Sequence, residues 1–153
     1  VRDTVLLANA ESIAVEASMV AYEGVVIAAE RDAGSLRTME ENASKFGTHN
    51  IEIIPEITVE ALEKLPTPRL AFIVAQESTI ENDIVTLLKV NPKIKFIIYT
   101  LELDILADIK YLMKKHGVDV TEVMQIAVSK VDKNGVFVAQ PAPWMITGEV
   151  KEK

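Results

Sequence analysis

The chain contains no cysteine. That absence removes disulfide bridges, thiolate metal sites and a cysteine nucleophile together. It is compatible with a reducing compartment, and a cytoplasmic location is the expectation. Basic residues are in deficit: 16 Lys and Arg stand against 23 Asp and Glu, a net charge of −7. A nucleic-acid surface depends on clustered positive charge, so no nucleic-acid partner is expected. The longest basic cluster, Lys114-Lys115-His116, closes a predicted helix, where positive charge complements the helix dipole. No apolar run approaches the roughly 18 residues that a bilayer span requires, so no membrane partner is expected. No basic stretch leads into an apolar one as in a secretory signal. Only two histidines are present, His49 and His116. Neither has a partner at metal-ligand spacing, so both read as surface residues and no metal is expected.

Glycine is scarce as well, with six in the whole chain. A dinucleotide fold places Gly-x-Gly-x-x-Gly between the first strand and helix. Here that interval reads Leu7-Ala8-Asn9-Ala10-Glu11-Ser12-Ile13, with no glycine at all. A P-loop is missing too, and no nucleophile elbow is present. Nicotinamide enzymes, nucleoside-triphosphate enzymes and a serine-hydrolase triad are thereby disfavoured.

What is present is the material for an ordinary core. The chain is 49% apolar and 25% charged over 153 residues, which fits one domain spanning 1–153. A domain of this size buries about 70% of the surface its unfolded chain exposes. Val25–Ala29, Ile51–Ile54, Leu70–Ala75 and Ile94–Tyr99 are continuous apolar runs of strand length, the mark of strands buried on both faces. Between them lie helical patterns. Leu36, Met39, Ala43 and Phe46 share one face of 33–46, with Gly47 at the C-cap position. Thr58–Leu65 is a shorter helix stopped by Pro66 and Pro68. Ser78 and Glu81 have capping-box spacing ahead of Ile80, Ile84, Leu87 and Leu88. Leu101–His116 carries Ile105, Ile109 and Leu112 on one face and stops at Gly117. Glu122–Val131 and Gly135–Gln140 read as strands joined by Asp132-Lys133-Asn134-Gly135, Asn-Gly being a strong hairpin signal, and Trp144–Ile146 finishes the sheet. Strand–helix alternation followed by a hairpin predicts an α/β fold: a doubly wound, mostly parallel sheet with a C-terminal β-hairpin.

In open α/β sheets, ligands bind beyond the C-terminal strand ends near the switch point. Glu30, Pro55-Glu56-Ile57, Ala75-Gln76-Glu77 and Thr100 occupy such positions. Glu30 follows an apolar strand and precedes a helix, where a carboxylate can accept both hydroxyls of a ribose. The alternative is a solvated strand end. Leu101-Glu102-Leu103-Asp104 offers two carboxylates at a helix start, where acids are stabilising in any case. Ser12, Ser78 and Thr100 read most simply as N-caps.

Several segments together resemble a known family. They are Ser12-Ile13-Ala14-Val15-Glu16-Ala17, Val26-Ile27-Ala28-Ala29-Glu30-Arg31-Asp32, Glu41-Asn42, Lys45-Phe46-Gly47 and Asn50-Ile51-Glu52-Ile53-Ile54. Glu60-Ala61-Leu62, Leu65-Pro66-Thr67-Pro68, Ala71-Phe72-Ile73 and Ile146-Thr147-Gly148-Glu149 extend the likeness to nearly the whole chain. They resemble the cobalt-precorrin C15-methyltransferases of cobalamin biosynthesis, which also occur as the C-terminal half of precorrin-6Y C5,15-methyltransferases. The resemblance implies a class I S-adenosylmethionine-dependent methyltransferase fold and a homo-oligomer, usually a tetramer. It places Glu30 on the ribose hydroxyls of the cofactor, with Ser12 and Arg31 in the matching motifs. It sets Glu56 and Ile57 on the adenine side and Ala75 and Gln76 towards the methionine end. The implied substrate is a tetrapyrrole, a precorrin methylated on carbon with loss of carbon dioxide from an acetate side chain. Such chemistry asks chiefly that methyl group and carbon be aligned.

The departures from the family pattern are as specific as the matches. The family's first strand ends in Asp-Ile-Gly-x-Gly-x-Gly, where this chain has Leu7-Ala8-Asn9-Ala10-Glu11. A glycine-rich loop after the fourth strand is replaced by Val74-Ala75-Gln76-Glu77-Ser78. Two readings of the N-terminal stretch are open: residues 1–7 as the helix before the first strand, with the strand and glycine loop missing near 10–11, or Thr4–Ala8 as the first strand with a shortened turn. The glycine losses also leave open a non-catalytic relative that binds a partner or stabilises a complex.

Overall fold

The computed structural model describes residues 4–9, 24–30, 32–46, 50–125, 127, 129–139 and 142–150. Seven strands form one sheet in the order β3-β2-β1-β4-β5-β9-β6. The strands are β1 (Val5–Ala8), β2 (Val26–Ala29), β3 (Ile51–Ile54), β4 (Leu70–Val74), β5 (Lys95–Thr100), β6 (Val118–Gln125) and β9 (Trp144–Val150). β1 to β5 run parallel, and β9 is inserted antiparallel between β5 and β6. Among the described residues the helices are α1 (Ala33–Phe46), α2 (Val59–Glu63), α3 (Ile80–Val90) and α4 (Leu103–Lys115). The expected doubly wound, mostly parallel architecture is the one observed.

Every residue of β2 is buried, as a strand covered on both faces requires. Alternation then divides the core. Leu6, Ala8, Ile27, Ala29, Ala71, Ile73, Phe96 and Ile98 pack with Leu62 of α2, Ile84 and Leu87 of α3, and Ile109 and Met113 of α4. Leu7, Val26 and Ala28 point to the other face, against Met39 of α1. Glu81 ties α3 to the end of α4, 3.4 Å from His116 Nε2 and 3.5 Å from Lys115 Nζ. The His116 bond, then the Lys115 charge, holds its carboxyl below the usual range. His116 is thus a partly buried partner of α3. Gly148 of β9 lies against α4 so closely that a Cβ would stand 2.8 Å from Met113 Sδ and 2.9 Å from Val118 Cγ1. Among the described residues, no helix is long and apolar enough to cross a membrane.

One open reading is decided and other local expectations are revised. Val5–Ala8 is a strand of the sheet between β2 and β4, so the strand reading of the N-terminal stretch holds and the helical one does not. The predicted strand 122–131 is two: β6 stays in the main sheet, while β7 (Ser129–Val131) leaves it to pair with β8 (Phe137–Ala139). The hairpin is therefore a separate flap ahead of the last strand. Its turn is a three-residue loop, with Asp132 N donating to Val136 O at 2.9 Å and Gly135 at φ 79°, a left-handed position suited to glycine. Finally, the helix starts shift. Thr79, not Ser78, precedes α3 and makes no side-chain cap, and Thr100 Oγ1 accepts the Glu102 N–H at 3.0 Å one turn before α4. The capping partner the spacing suggested for Glu81 is replaced by the α4 contacts. Gly47, His49 and Ser12 lie outside the described residues.

Candidate functional site

The strand order reverses between β1 and β4, the position at which an open α/β sheet leaves a crevice. The strands end level there, because Ala8 pairs with both Ala29 and Ile73, and Ala29 with Ile54. The ladder then continues one residue further. Asn9 N donates to Ala29 O at 3.0 Å, and Glu30 N to Ile54 O at 3.1 Å. Asn9 and Glu30 therefore stand side by side where the sheet stops.

Glu30 is only 6% exposed. Its Oε1 accepts the Asp32 N–H at 3.1 Å, and Asp32 in turn starts α1 by accepting the Ser35 N–H on Oδ2 at 2.8 Å. That cap holds the Asp32 carboxyl below the usual carboxylate range. The acid at the end of β2 is thus anchored to the first turn of the next helix, not solvated as a loose strand end. An ionised carboxylate has about four acceptor positions. Among the described residues Glu30 accepts one hydrogen bond, from Asp32.

Asn9 takes φ 58°, the one left-handed non-glycine backbone among the described residues. Its Nδ2 donates to Val74 O at 3.3 Å, across from β1 to β4. Ala8, Asn9, Ala29, Glu56, Ile57 and Gln76 line a cavity of about 20 Å³, with Pro55, Thr79 and Asp83 completing it. Beside it, Ala75, Gln76, Glu77, Ser78 and Glu102 border a wider hollow of about 420 Å³. Gln76 belongs to both.

Of the positions singled out in the sequence, Glu30 lies at the end of β2, Glu56 and Ile57 after β3, and Ala75 and Gln76 after β4. The structure brings all five to the same end of the sheet. Ile57 is buried, whereas Glu56 and Gln76 are exposed. Ser12 and Arg31 lie outside the described residues. Asn9, Thr79 and Asp83 were missed as lining residues. Asn9 carried a signal, since asparagine is one of the few residues that visit the left-handed region routinely. Among the described residues, no group of three or more His, Asp or Glu is placed to hold a metal ion. The narrow cavity has an apolar wall at Ala29 and Ile57 and polar edges at Glu56 and Gln76, and Glu30 stands at the same end of the sheet without lining it.

A family model described as a precorrin methyltransferase domain matches residues 7–148. The chain belongs to the precorrin methyltransferase family. Among solved structures, precorrin-6y C5,15-methyltransferase from Geobacter metallireducens superposes with a TM-score of 0.86 at 24% identity, covering 99% of this chain and 82% of that one. Precorrin 8w decarboxylase from Methanobacterium thermoautotrophicum gives 0.76 at 17% identity, over 97% of this chain and 82% of that one. A Streptococcus pneumoniae protein described as a tRNA methyltransferase, solved in complex with S-adenosyl-L-methionine, gives 0.73 at 14% identity over 99% of this chain and 68% of that one. At these identities the superpositions establish the methyltransferase fold. No curated protein matches the chain.

Proposed function

We propose that this precorrin methyltransferase transfers the methyl group of S-adenosylmethionine to a carbon of a tetrapyrrole substrate, with loss of carbon dioxide from an acetate side chain. The observation that carries the reading is the buried, helix-anchored Glu30 at the end of β2, next to the switch point of the sheet, with one acceptor position taken among the described residues. A sugar diol offers two O–H donors, and such a carboxylate is their complement. The family match over residues 7–148 supports the tetrapyrrole as acceptor.

When bound, S-adenosylmethionine supplies a methyl group already activated by its sulfonium. The chain's own residues bind and orient. Glu30 would accept the ribose hydroxyls, and Ala29 and Ile57 would give the adenine an apolar surface beside Glu56. Ala75 and Gln76 would border the amino-acid end. The hollow at Glu77, Ser78 and Glu102 opens from there towards solvent and is the place for the acceptor. No base or nucleophile is needed, because the reaction gains most from alignment. Loss of carbon dioxide leaves its electron pair on the substrate carbon skeleton, not on a protein group.

The reading includes a cytoplasmic homo-oligomer of tetramer size. The β7–β8 hairpin supports self-association, since Val131 and Phe137, paired across it, are both exposed, and exposed apolar surface of that kind can mark an interface. A second reading, a non-catalytic relative, is favoured by the 20 Å³ cavity, which is far below the roughly 300 Å³ of a ligand pocket. Incubation with methyl-labelled S-adenosylmethionine and a precorrin, read by mass spectrometry, separates the two. The proposed function yields a product that gains the labelled methyl and loses carbon dioxide. A chain that leaves the label untransferred, and whose Glu30→Ala variant keeps its biological role intact, is the non-catalytic relative.

A further inference from the structure

We propose that Asn9 is an affinity-setting residue: it bars the crevice between β1 and β4 and limits how deeply an S-adenosyl amino acid enters. The inference rests on the cofactor reading above.

The backbone comes first. At φ 58°, Asn9 follows a path that glycine takes without steric cost and asparagine tolerates. The backbone at this position is therefore one that glycine would share, and a carboxamide is added to it.

The position of that carboxamide follows from the register. β1 ends at Ala8, opposite Ile73, and β4 runs one residue further, to Val74. On its other side Val74 still has a strand neighbour, Tyr99 of β5. Among the described residues, β1 offers no residue beyond Asn9 to meet the Val74 carbonyl. Asn9 Nδ2 fills the gap at 3.3 Å and acts as a side-chain rung beyond the end of the ladder.

The rung lies across the opening. The narrow cavity of about 20 Å³ is lined by Asn9 together with Ala8, Ala29 and Gln76, whereas the neighbouring hollow at Ala75–Ser78 and Glu102, which Asn9 does not line, is about 420 Å³. Asn9 thus borders the narrow cavity and not the wide one. At 3.3 Å the bond is longer than the usual N–H···O range, so it can open. Opening it exposes the Val74 carbonyl, an acceptor suited to the ammonium group of an S-adenosyl amino acid, and charge-assisted bonds are stronger than the neutral one lost.

The test is a calorimetric titration of S-adenosylhomocysteine into the chain and into Asn9→Gly and Asn9→Ala. Asn9→Gly removes the bar and suits the same backbone, and the expected result is binding about tenfold tighter than the parent. Without ligand its thermal midpoint falls, since the rung is lost, and saturating ligand narrows the difference. Asn9→Ala also tightens binding, and it carries the test if circular dichroism shows that Asn9→Gly does not fold. If the parent binds while the folded variants bind equally or more weakly, the role of Asn9 is overturned and the cofactor reading stands. If none of the three gives heat, the cofactor reading itself fails and the inference falls with it.

Discussion

Asp32 serves two partners with two atoms: its N–H holds Glu30 Oε1, and its Oδ2 caps α1 through the Ser35 N–H. Removing the carboxylate in Asp32→Ala leaves the Glu30 contact but frees the first turn of the helix that orients it. A lower thermal midpoint at neutral pH is expected. The Asp32 carboxyl is held below its ordinary pKa by the Ser35 bonds. Its contribution is therefore fully present above the unfolded-state value and is lost as pH falls through the lower folded value. Thermal melts of parent and variant should converge in strong acid. A midpoint difference that stays constant down the pH series contradicts the assignment. At this scale Glu30 was legible, because a buried run ending on an acid before a helix is a local pattern. Its burial was not, since that depends on the Asp32 bond and on neighbouring strands. Asn9 was hidden for a different reason. The lack of glycine drew notice to a missing motif, while the left-handed capacity of asparagine is a backbone property that residue type only hints at.

Gly148 shows what holds one element to another. In β9 it pairs with Phe96 of β5 and Val120 of β6, and its missing side chain admits buried Met113 of α4. Gly148→Ala overfills that contact, for which about 1–3 kcal/mol of destabilisation is expected, read from the urea midpoint with an unchanged slope. An unaltered midpoint means that Met113 moves aside freely and that the contact does not pin β9. Strand β3 and the helix-spanning stripes were legible because continuous apolar runs and helical periodicity are set by nearest neighbours in the chain. Strand β6 was misread because its alternation passes into β7 with no glycine or proline to mark where the chain leaves the sheet. Strands at an edge also bury little: β6 is exposed from Thr121 to Gln125, so hydrophobic patterning says little about its limits. The shift from Ser78 to Thr79 at the start of α3 has the same origin, since helix ends depend on tertiary contacts such as Glu81 with His116 as much as on capping residues.

For the whole molecule, alternation of strands and helices was enough to give the architecture, because a right-handed crossover leaves few ways to arrange them. The order of the sheet and the level strand ends then place five of the expected site residues together. The width of the crevice was not legible, being the product of residues at the ends of four strands and from α3 meeting at one point. The exposed hairpin carries a prediction of its own. Phe137 is 76% exposed, and Phe137→Lys puts charge into the proposed self-association surface. Light scattering should show a smaller species than the parent with the same circular dichroism, whereas an unchanged mass removes the hairpin from any oligomer contact. The central claim is that this end of the sheet holds the methyl donor by its sugar. A calorimetric titration with S-adenosylmethionine tests it most directly. The parent should bind at about millimolar or tighter concentration, and Glu30→Ala, folded as the parent is, should bind roughly ten- to a hundredfold more weakly, the worth of hydrogen bonds to a charged group. A parent that releases no heat at high cofactor concentration, or a variant that binds as tightly as the parent, contradicts it.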